Sequence, residues 1–132
     1  MDELSAVTDL LYGPGTPMSG LSLTDEEAMA MVRQRFPFNE FCLVRDWLWL
    51  DLAVTPAERE QLSNTGRQPV LVYAHTVVYD SARRWDAGDF VRTSPLHVLH
   101  GEGLFQTWST LYVLLGEGQR KRVALETVGR IF

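Results

Sequence analysis

The sequence has few of the features that would place a chain outside a reducing compartment or in a membrane. It holds one cysteine, Cys42, so no disulfide can form within the chain, and a reducing cytoplasm is the expected location. The longest apolar runs reach about ten residues, which is too short to span a bilayer. The opening Met-Asp-Glu-Leu lacks the basic segment that begins a secretory signal. We therefore expect a cytoplasmic protein without membrane association.

Basic residues are also scarce. Lys and Arg number 12 against 17 Asp and Glu, which gives a net charge of −5 at pH 7. Residues 1–66 hold eleven acids and four arginines, a net −7, whereas residues 67–132 hold six acids and eight bases, a net +2. The basic run at residues 120–122 is interpreted as a solvated strand face rather than a phosphate site. Nucleic acid is therefore not an expected partner, and the acidic first half favours a basic protein surface instead.

Motifs that define a catalytic or cofactor site are lacking as well. The two Gly-Glu-Gly segments, at 101–103 and 116–118, are too short for phosphate-binding loops. Cys42 has no nucleophile signature around it and is expected to be a small buried side chain. His97 and His100 lie three residues apart on an expected strand, so they point to opposite faces and do not form a metal site. The sequence predicts no catalytic residue, metal or cofactor and favours a non-enzymatic protein.

Strand-forming sequence is abundant, above all in Val70–Tyr79. This run is rich in β-branched and aromatic residues and has no glycine or proline, which predicts a central, largely buried strand. A first strand is predicted at residues 41–50. Further strands are predicted at 89–94, 96–100, 104–107, 109–115 and 119–125. The short glycine-containing connections between them, including both Gly-Glu-Gly segments, favour hairpins and antiparallel pairing.

Helices are predicted in the first half. Thr24 with Glu27 and Thr55 with Glu58 have the spacing of capping boxes, and residues 2–11 form a third helical pattern before a predicted loop at 12–21. The chain, with 45% hydrophobic residues, is long enough for one domain, residues 1–132, in which residues 1–20 are a loosely docked helix and loop. We predict an α+β fold in which short N-terminal helices pack on one face of an antiparallel sheet of five to six strands. The other face is expected to be solvated or to meet a partner.

The leading hypothesis is a small acidic accessory protein that docks a sheet face or edge onto another protein. Trp47 and Trp49 share one strand face; they are either core residues or, since tryptophan is enriched at interface hot spots, partner contacts. The polar loop at residues 80–89 is either a structural turn with an arginine stacked on Trp85 or an anion-binding loop joined by Arg92. The residues proposed to contact the partner are Trp47, Trp49, Trp85 and Arg92.

Two other hypotheses remain open. A binder of an anionic or nucleotide-like ligand, or an enzyme, would place its site at one end of the sheet. The residues that would converge there are His75, Asp89, Arg92 and His97. His75 is alternatively a hydrogen-bonded residue of the strand face. The third hypothesis is a homodimer formed through the uncovered sheet face.

Two segments, Trp85–Leu96 and Thr110–Gly116, resemble a family of small bacterial proteins of unknown function that occur near chromosomal and mobile-element loci. The likeness covers about residues 70–120 and lies in fold-building residues rather than in chemistry. It implies an accessory rather than a central metabolic role. An accessory protein of a mobile element or of bacterial conflict would fit the leading hypothesis. The likeness provides no catalytic or binding residue that can be carried over to this chain.

Overall fold

The computed structural model describes residues 3–130. It contains four helices within that range, and none of them is both long enough and apolar enough to cross a bilayer. Both predicted capping boxes are confirmed, because Thr24 and Thr55 each exchange hydrogen bonds with the glutamate three residues on. The helices are α1 (Glu3–Tyr12), α2 (Asp25–Arg35), α3 (Pro56–Asn64) and α4 (Leu125–Val128).

The described part of the chain forms one mixed sheet of eight strands. Two of them are long and central, and several of the others have only two to four residues. The strands are β1 (Thr16–Ser19), β2 (Phe41–Ala53), β3 (Val70–Asp80), β4 (Val91–Arg92), β5 (Val98–Leu99), β6 (Leu104–Gln106), β7 (Leu111–Leu114) and β8 (Glu117–Ala124).

The two long strands form the centre of the sheet. β2 pairs with β3 in antiparallel register from Cys42–Asp80 to Asp51–Val70. Its other edge is occupied by β7 along the first half and by β8 along the second half, both parallel to β2. The register changes by one residue between the two pairings, from Val44–Leu114 to Leu48–Gln119. β7 and β8 are therefore nearly one continuous strand with a bulge between them.

The sheet closes into a ring through residues 89–100. The first part of this segment runs along β3: Thr93 donates its amide hydrogen to the carbonyl of Val72, and Leu96 donates to Val70. The segment then crosses to β6, where His97 donates to the carbonyl of Gln106. The path thus runs from β2 through β7 and β6 to residues 93–97, and from these residues through β3 back to β2. Both edges of the central pair are covered, so little of the strand edge at its centre is left open.

One apolar cluster fills the interior of this ring. Trp47 and Trp49 from β2 project inward, and Phe105 of β6 meets Trp49 edge-on with the ring centroids 5.5 Å apart. Further inward side chains come from alternate positions of the neighbouring strands, as a closed sheet requires. They are Cys42, Val44, Val70, Val72, Ala74, Val77, Val91, Leu96, Tyr112 and Leu114.

Three of the helices, α1, α2 and α4, pack on the outer surface of the ring. Ala28 and Val32 of α2 are fully buried against the outward side chains around Leu43 and Val113. Leu10 of α1 and Val128 of α4 are buried in another cluster. The β-strand members of that cluster are Leu48, Leu50, Leu52, Leu71, Tyr73 and Val123. The apolar strand β3 is thus packed on both sides, as its sequence predicts.

The α+β prediction is confirmed, but the details of the sheet differ from the sequence analysis. The sheet is mixed rather than antiparallel and has eight strands instead of five to six. The predicted loop at 12–21 contains β1, which pairs with β8. The strands predicted at 89–94 and 96–100 are reduced to β4 and β5, because this segment changes partner halfway along its length.

One of the two predicted hairpins is wrong. Residues 101–103 do connect an antiparallel pair, β5 and β6. Residues 116–118 do not reverse the chain, since β7 and β8 continue along the same edge of β2. Gly116 has a φ of 70°, the left-handed conformation that suits glycine, and it supplies the bulge between the two strands. The same glycine pattern therefore produces a turn in one place and a bend in the other.

The second face of the sheet is not left uncovered either. The closure through residues 89–100 converts it into the interior of the ring, where Trp47 is 1% exposed and Trp49 is 6% exposed. Among residues 3–130, neither face of the central strand pair is therefore open for docking or dimerisation. A binding surface has to be sought on the outside of the ring.

Candidate functional site

The three histidines occupy separate places. His75, in β3, donates from Nε2 to the carbonyl of Leu11 at 3.1 Å. His97 donates from Nδ1 to the carbonyl of Gly66, which precedes β3, at 2.6 Å. His100 is hydrogen-bonded to Gln106 on the β5–β6 pair. Within residues 3–130 no group of three or more His, Cys, Asp or Glu side chains is arranged to hold a metal ion.

The two tryptophans of β2 are part of the core. Trp47 Nε1 donates to the carbonyl of Leu115 at 3.1 Å, and Trp49 Nε1 donates to a carboxylate oxygen of Asp51 at 3.2 Å. Their burial matches the core interpretation given for this pair. As partner contacts they would have to leave the ring interior, so neither side chain belongs to an exposed site in this structure.

The polar loop at residues 80–89 is fastened by an ion pair. The Asp80 side chain is fully buried and receives hydrogen bonds from the Arg84 amide at 2.7 Å and from Arg84 Nη2 at 2.9 Å. Burial by itself would raise the pKa of Asp80, but the hydrogen bonds and charge of Arg84 outweigh it and lower the pKa below its usual value. Arg84 also lies 4.4 Å from the ring centre of Trp85. These contacts favour the interpretation of Arg84 as a structural residue of the loop rather than as an anion-binding residue.

The basic run of β8 is likewise engaged within the chain. Arg120 makes two hydrogen bonds to Asp51, at 2.6 and 3.0 Å. Lys121 Nζ donates to the carbonyls of Leu10 and Gly13, both at 2.6 Å, at the C-terminal end of α1. A depression of about 520 Å³ adjoins these side chains, but two of its cations already have internal partners. This arrangement supports the strand-face interpretation rather than a phosphate site, and it holds α1 onto the sheet.

An open cleft lies where the end of α1 and the loop at 81–90 meet over β3. Its volume is about 500 Å³. Most of its walls are aromatic rings, and one carboxylate lies among them. Its lining residues are Tyr12, Tyr73, His75, Trp85, Gly88, Asp89 and Phe90. We refer to this set as the aromatic cleft.

Ring contacts organise the floor of the aromatic cleft. Tyr73 lies between two neighbours, with His75 edge-on at 4.9 Å and Phe90 stacked at 5.8 Å between centroids. Tyr12 stacks on the opposite side of His75 at 5.3 Å. Tyr73 is buried, and burial raises the pKa of its hydroxyl. The floor is therefore fixed by β3, whereas Tyr12 is 74% exposed and Phe90 is 46% exposed at the rim.

The cleft brings together some of the residues selected from the sequence. His75 and Asp89 both line it, and so does Trp85. Arg92 flanks it, because its backbone pairs with Tyr73 in the β3–β4 register, so that the two side chains share one face of the sheet. His97 belongs elsewhere, beside Gly66. The four residues of the ligand-binding hypothesis thus do not converge as one set.

Sequence analysis missed the exposed rings at the rim. Phe90 stands in a predicted strand, where an aromatic side chain is ordinarily core, and Tyr12 follows a helix in a predicted loop. Neither position has a local signal for a site. The only available signal was the concentration of aromatic and acidic residues between Trp85 and Phe90.

A strained residue lies beside this cleft. Asp46, in the middle of β2, has a φ of 53°, although it is not glycine. The pairs Arg45–Thr76 and Trp47–Ala74 place it opposite His75. Such a conformation costs about 1–3 kcal/mol and is common at functional positions. Asp46 also lines a second depression, of about 340 Å³, that shares Tyr12 and His75 with the aromatic cleft.

Cys42 does not belong to the site. It is fully buried in the ring interior, and burial, helped by the charge of Asp80 and opposed by that of Arg84, raises the pKa of its thiol to about 12. At pH 8 only about one such thiol in ten thousand is ionised. We expect a maleimide or disulfide reagent to leave native protein unlabelled and to label the same protein fully in concentrated urea. Rapid native labelling, followed by mass spectrometry, would contradict this placement.

The fold and the cleft define an α+β protein built on a closed ring of strands with an aromatic depression on its outer surface. Residues 19–130 match the family described as domain of unknown function DUF6957, and the chain belongs to that family. No curated protein and no solved structure matches the chain. The match confirms the resemblance to an uncharacterised family, and it assigns neither an activity nor a site residue.

Proposed function

We propose that this chain is a cytoplasmic protein-binding protein that takes a segment of another protein into the aromatic cleft. The observation that carries the proposal is the exposure of Tyr12 and Phe90 beside the half-buried Trp85, around an open volume of about 500 Å³. Large rings left in contact with water on a folded surface favour a partner, since Tyr and Trp are enriched among interface hot spots. A lone buried cysteine suits the reducing compartment.

The construction of the cleft supports binding without large rearrangement. Its floor is a strand of the central pair, and one wall follows a helix whose terminal carbonyls are held by Lys121. The opposite wall is the loop fastened by the Asp80–Arg84 pair. Rings that are already positioned lose little conformational freedom on binding, which increases affinity.

A small-molecule ligand is the second candidate, because His75 and Asp89 line the same cleft. His97 lies apart, beside Gly66. The cleft is open to solvent, which suits an extended segment better than a ligand that needs an enclosed pocket. Self-association remains a third proposal, in which the occupant of the cleft is a second copy of the chain.

The test is a peptide selection with a cleft variant as its counterpart. We expect selection from a random peptide library on the intact protein to give ligands that bind at micromolar affinity. Phe90→Ala and Tyr12→Ala should each weaken these ligands by about tenfold or more, because a hot-spot ring is lost. Isothermal titration calorimetry measures the affinities, and light scattering measures whether the free protein is a monomer.

Trp108→Ala is the matched control. Trp108 is 59% exposed and stacks with Arg67 at 4.3 Å, away from the cleft, so its loss removes an exposed ring without touching the proposed site. Peptides that respond equally to Trp108→Ala and to Phe90→Ala would argue against the cleft. A dimer that dissociates when Tyr12 or Phe90 is changed would show self-association instead.

A further inference from the structure

The electrostatic character of the cleft indicates which partner it fits. The aromatic cleft and the second depression share Tyr12 and His75, so they form one continuous surface on either side of these two rings. Its charged lining residues are three carboxylates, Asp46, Asp89 and Glu117. Among the described residues that line the two depressions there is no lysine and no arginine.

The three carboxylates are bonded to neutral groups. Thr76 Oγ1 donates to Asp46 at 3.3 Å, and the amide of Asp86 donates to Asp89 at 2.9 Å. Ser19 Oγ donates to Glu117 at 3.1 Å. Their negative charges are therefore not neutralised by the contacts that hold them. A carboxylate beside a partly enclosed apolar wall attracts a cation more strongly than one in open solvent.

The cations next to the two depressions reduce this charge without lining either depression. Lys121 Nζ donates to the carbonyl of Gly13, which lines the second depression, at 2.6 Å and is thereby held at the end of α1. Arg84, stacked on Trp85, is already matched by Asp80. Arg92 flanks the cleft beside Tyr73, and it is not among the residues that line the two depressions. The Arg84–Trp85 contact also demonstrates, within this chain, that a ring of the cleft accepts a guanidinium on its face.

Asp46 adds a geometric argument. Asp46 has a φ of 53° inside a long strand, where glycine would fit without strain. Its backbone lies opposite His75, which lines both depressions, and Asp46 itself lines the second one. Glycine there would relieve the backbone and would remove the charge.

We propose that the segment bound in the cleft is basic, and that a lysine or arginine side chain of the partner protein inserts between the rings of Tyr12 and Phe90. The aliphatic stem of that side chain packs on the rings, and its charged end is directed to the carboxylate of Asp89 or Asp46. This inference rests on the proposed function and specifies the chemistry of the partner. The same charge distribution disfavours an acidic segment.

The experiment uses the full chain and the peptides recovered by selection on it. We expect cleft-dependent peptides to be enriched in lysine and arginine. Replacing those residues in the best peptide by glutamine should weaken binding at least about tenfold.

Asp89→Asn and Asp46→Asn, which keep a hydrogen-bond acceptor, should each weaken peptide binding about three- to tenfold. Raising the salt concentration from 50 to 500 mM should also weaken the binding of wild-type protein. Arg92→Gln should leave binding unchanged or make it tighter.

Glu102→Gln is the matched control for charge. Glu102 is an exposed acid in the β5–β6 turn, outside both depressions, so its removal should change the affinity less than twofold. Asp46→Gly is the control for folding, because it should leave the thermal midpoint unchanged or raise it while it still weakens binding.

The outcomes separate this inference from the proposed function. Peptides that depend on Tyr12 and Phe90 but are neutral or acidic, or that bind more tightly after Asp89→Asn, would overturn the basic partner and leave the cleft as a docking site. Peptides insensitive to both rings would overturn the two proposals together.

Discussion

Replacing Trp47 by alanine is expected to destabilise the protein by about 3–5 kcal/mol. The ring is 1% exposed, lies in the interior of the strand ring and donates a hydrogen bond to the carbonyl of Leu115. Its removal opens a cavity between β2 and the junction of β7 and β8, and it takes a donor from a buried carbonyl. Equilibrium unfolding in guanidinium chloride measures the effect.

Trp108→Ala supplies the comparison for this prediction. Trp108 is exposed and contacts Arg67 through a stacked guanidinium, which is worth about 0.5–1 kcal/mol at such a site. The loss of stability should therefore be several times smaller than for Trp47→Ala. Equal unfolding midpoints for wild type and Trp47→Ala would mean that Trp47 is not a core residue. They would favour the alternative that this tryptophan is a partner contact on the surface.

The contact between Trp47 and Gly118 explains a glycine that the sequence pattern assigns to a hairpin turn. A Cβ at Gly118 would lie 2.4 Å from the indole ring, which is shorter than any tolerated contact. Position 118 is thus glycine because the strand passes directly over the ring, whereas Gly116, two residues earlier, is glycine because of its positive φ. The two glycines of this Gly-Glu-Gly segment are thus required for different reasons, and neither reason is a hairpin turn.

The elements that sequence could predict are those whose signals are local. The capping boxes at Thr24 and Thr55 mark helix starts through hydrogen bonds between residues three apart. The apolar run of β3 requires burial on both sides, whichever elements provide it. The closure of the sheet is different, because Leu96 and Val70, 26 positions apart in the numbering, meet through backbone groups that every residue possesses. Periodicity therefore placed Trp47 and Trp49 on one face without revealing that this face is the interior.

The candidate site depends on the same non-local contacts. Tyr12 reaches His75 only because α1 docks on β3, and Phe90 reaches Tyr73 only because residues 89–96 run along that strand. His75, Trp85 and Asp89 could be selected from their residue types, but their grouping required the register of the sheet. The positive φ of Asp46 could not be located from the sequence, because it depends on how β2 pairs with β3.

The second large effect is expected at the loop beside the cleft. Arg84→Ala should reduce stability at pH 7 by about 3 kcal/mol, because it leaves the fully buried carboxylate of Asp80 without its cation. Arg84 also donates to Thr110 Oγ1 at 2.9 Å, so the loop loses an attachment to the start of β7. Urea unfolding of wild type and variant over a range of pH measures the difference. Arg84→Lys keeps the charge but loses the forked geometry of the guanidinium, so its stability should lie between those of the wild type and Arg84→Ala.

The pH dependence gives this prediction its specific signature. The folded state lowers the pKa of Asp80, so the pair contributes stability that is present above the unfolded-state pKa and is lost as the pH falls through the folded-state value. The difference between wild type and Arg84→Ala should therefore be largest near neutral pH and should shrink in acid, where Asp80 is protonated in both proteins. Arg83→Gly is the matched control: Arg83 is exposed, with a φ of 56°, and its replacement should change stability by less than about 1 kcal/mol at every pH. An Arg84→Ala effect that is equally small, or that stays constant from neutral to acid pH, would show that the buried pair does not hold this wall of the cleft.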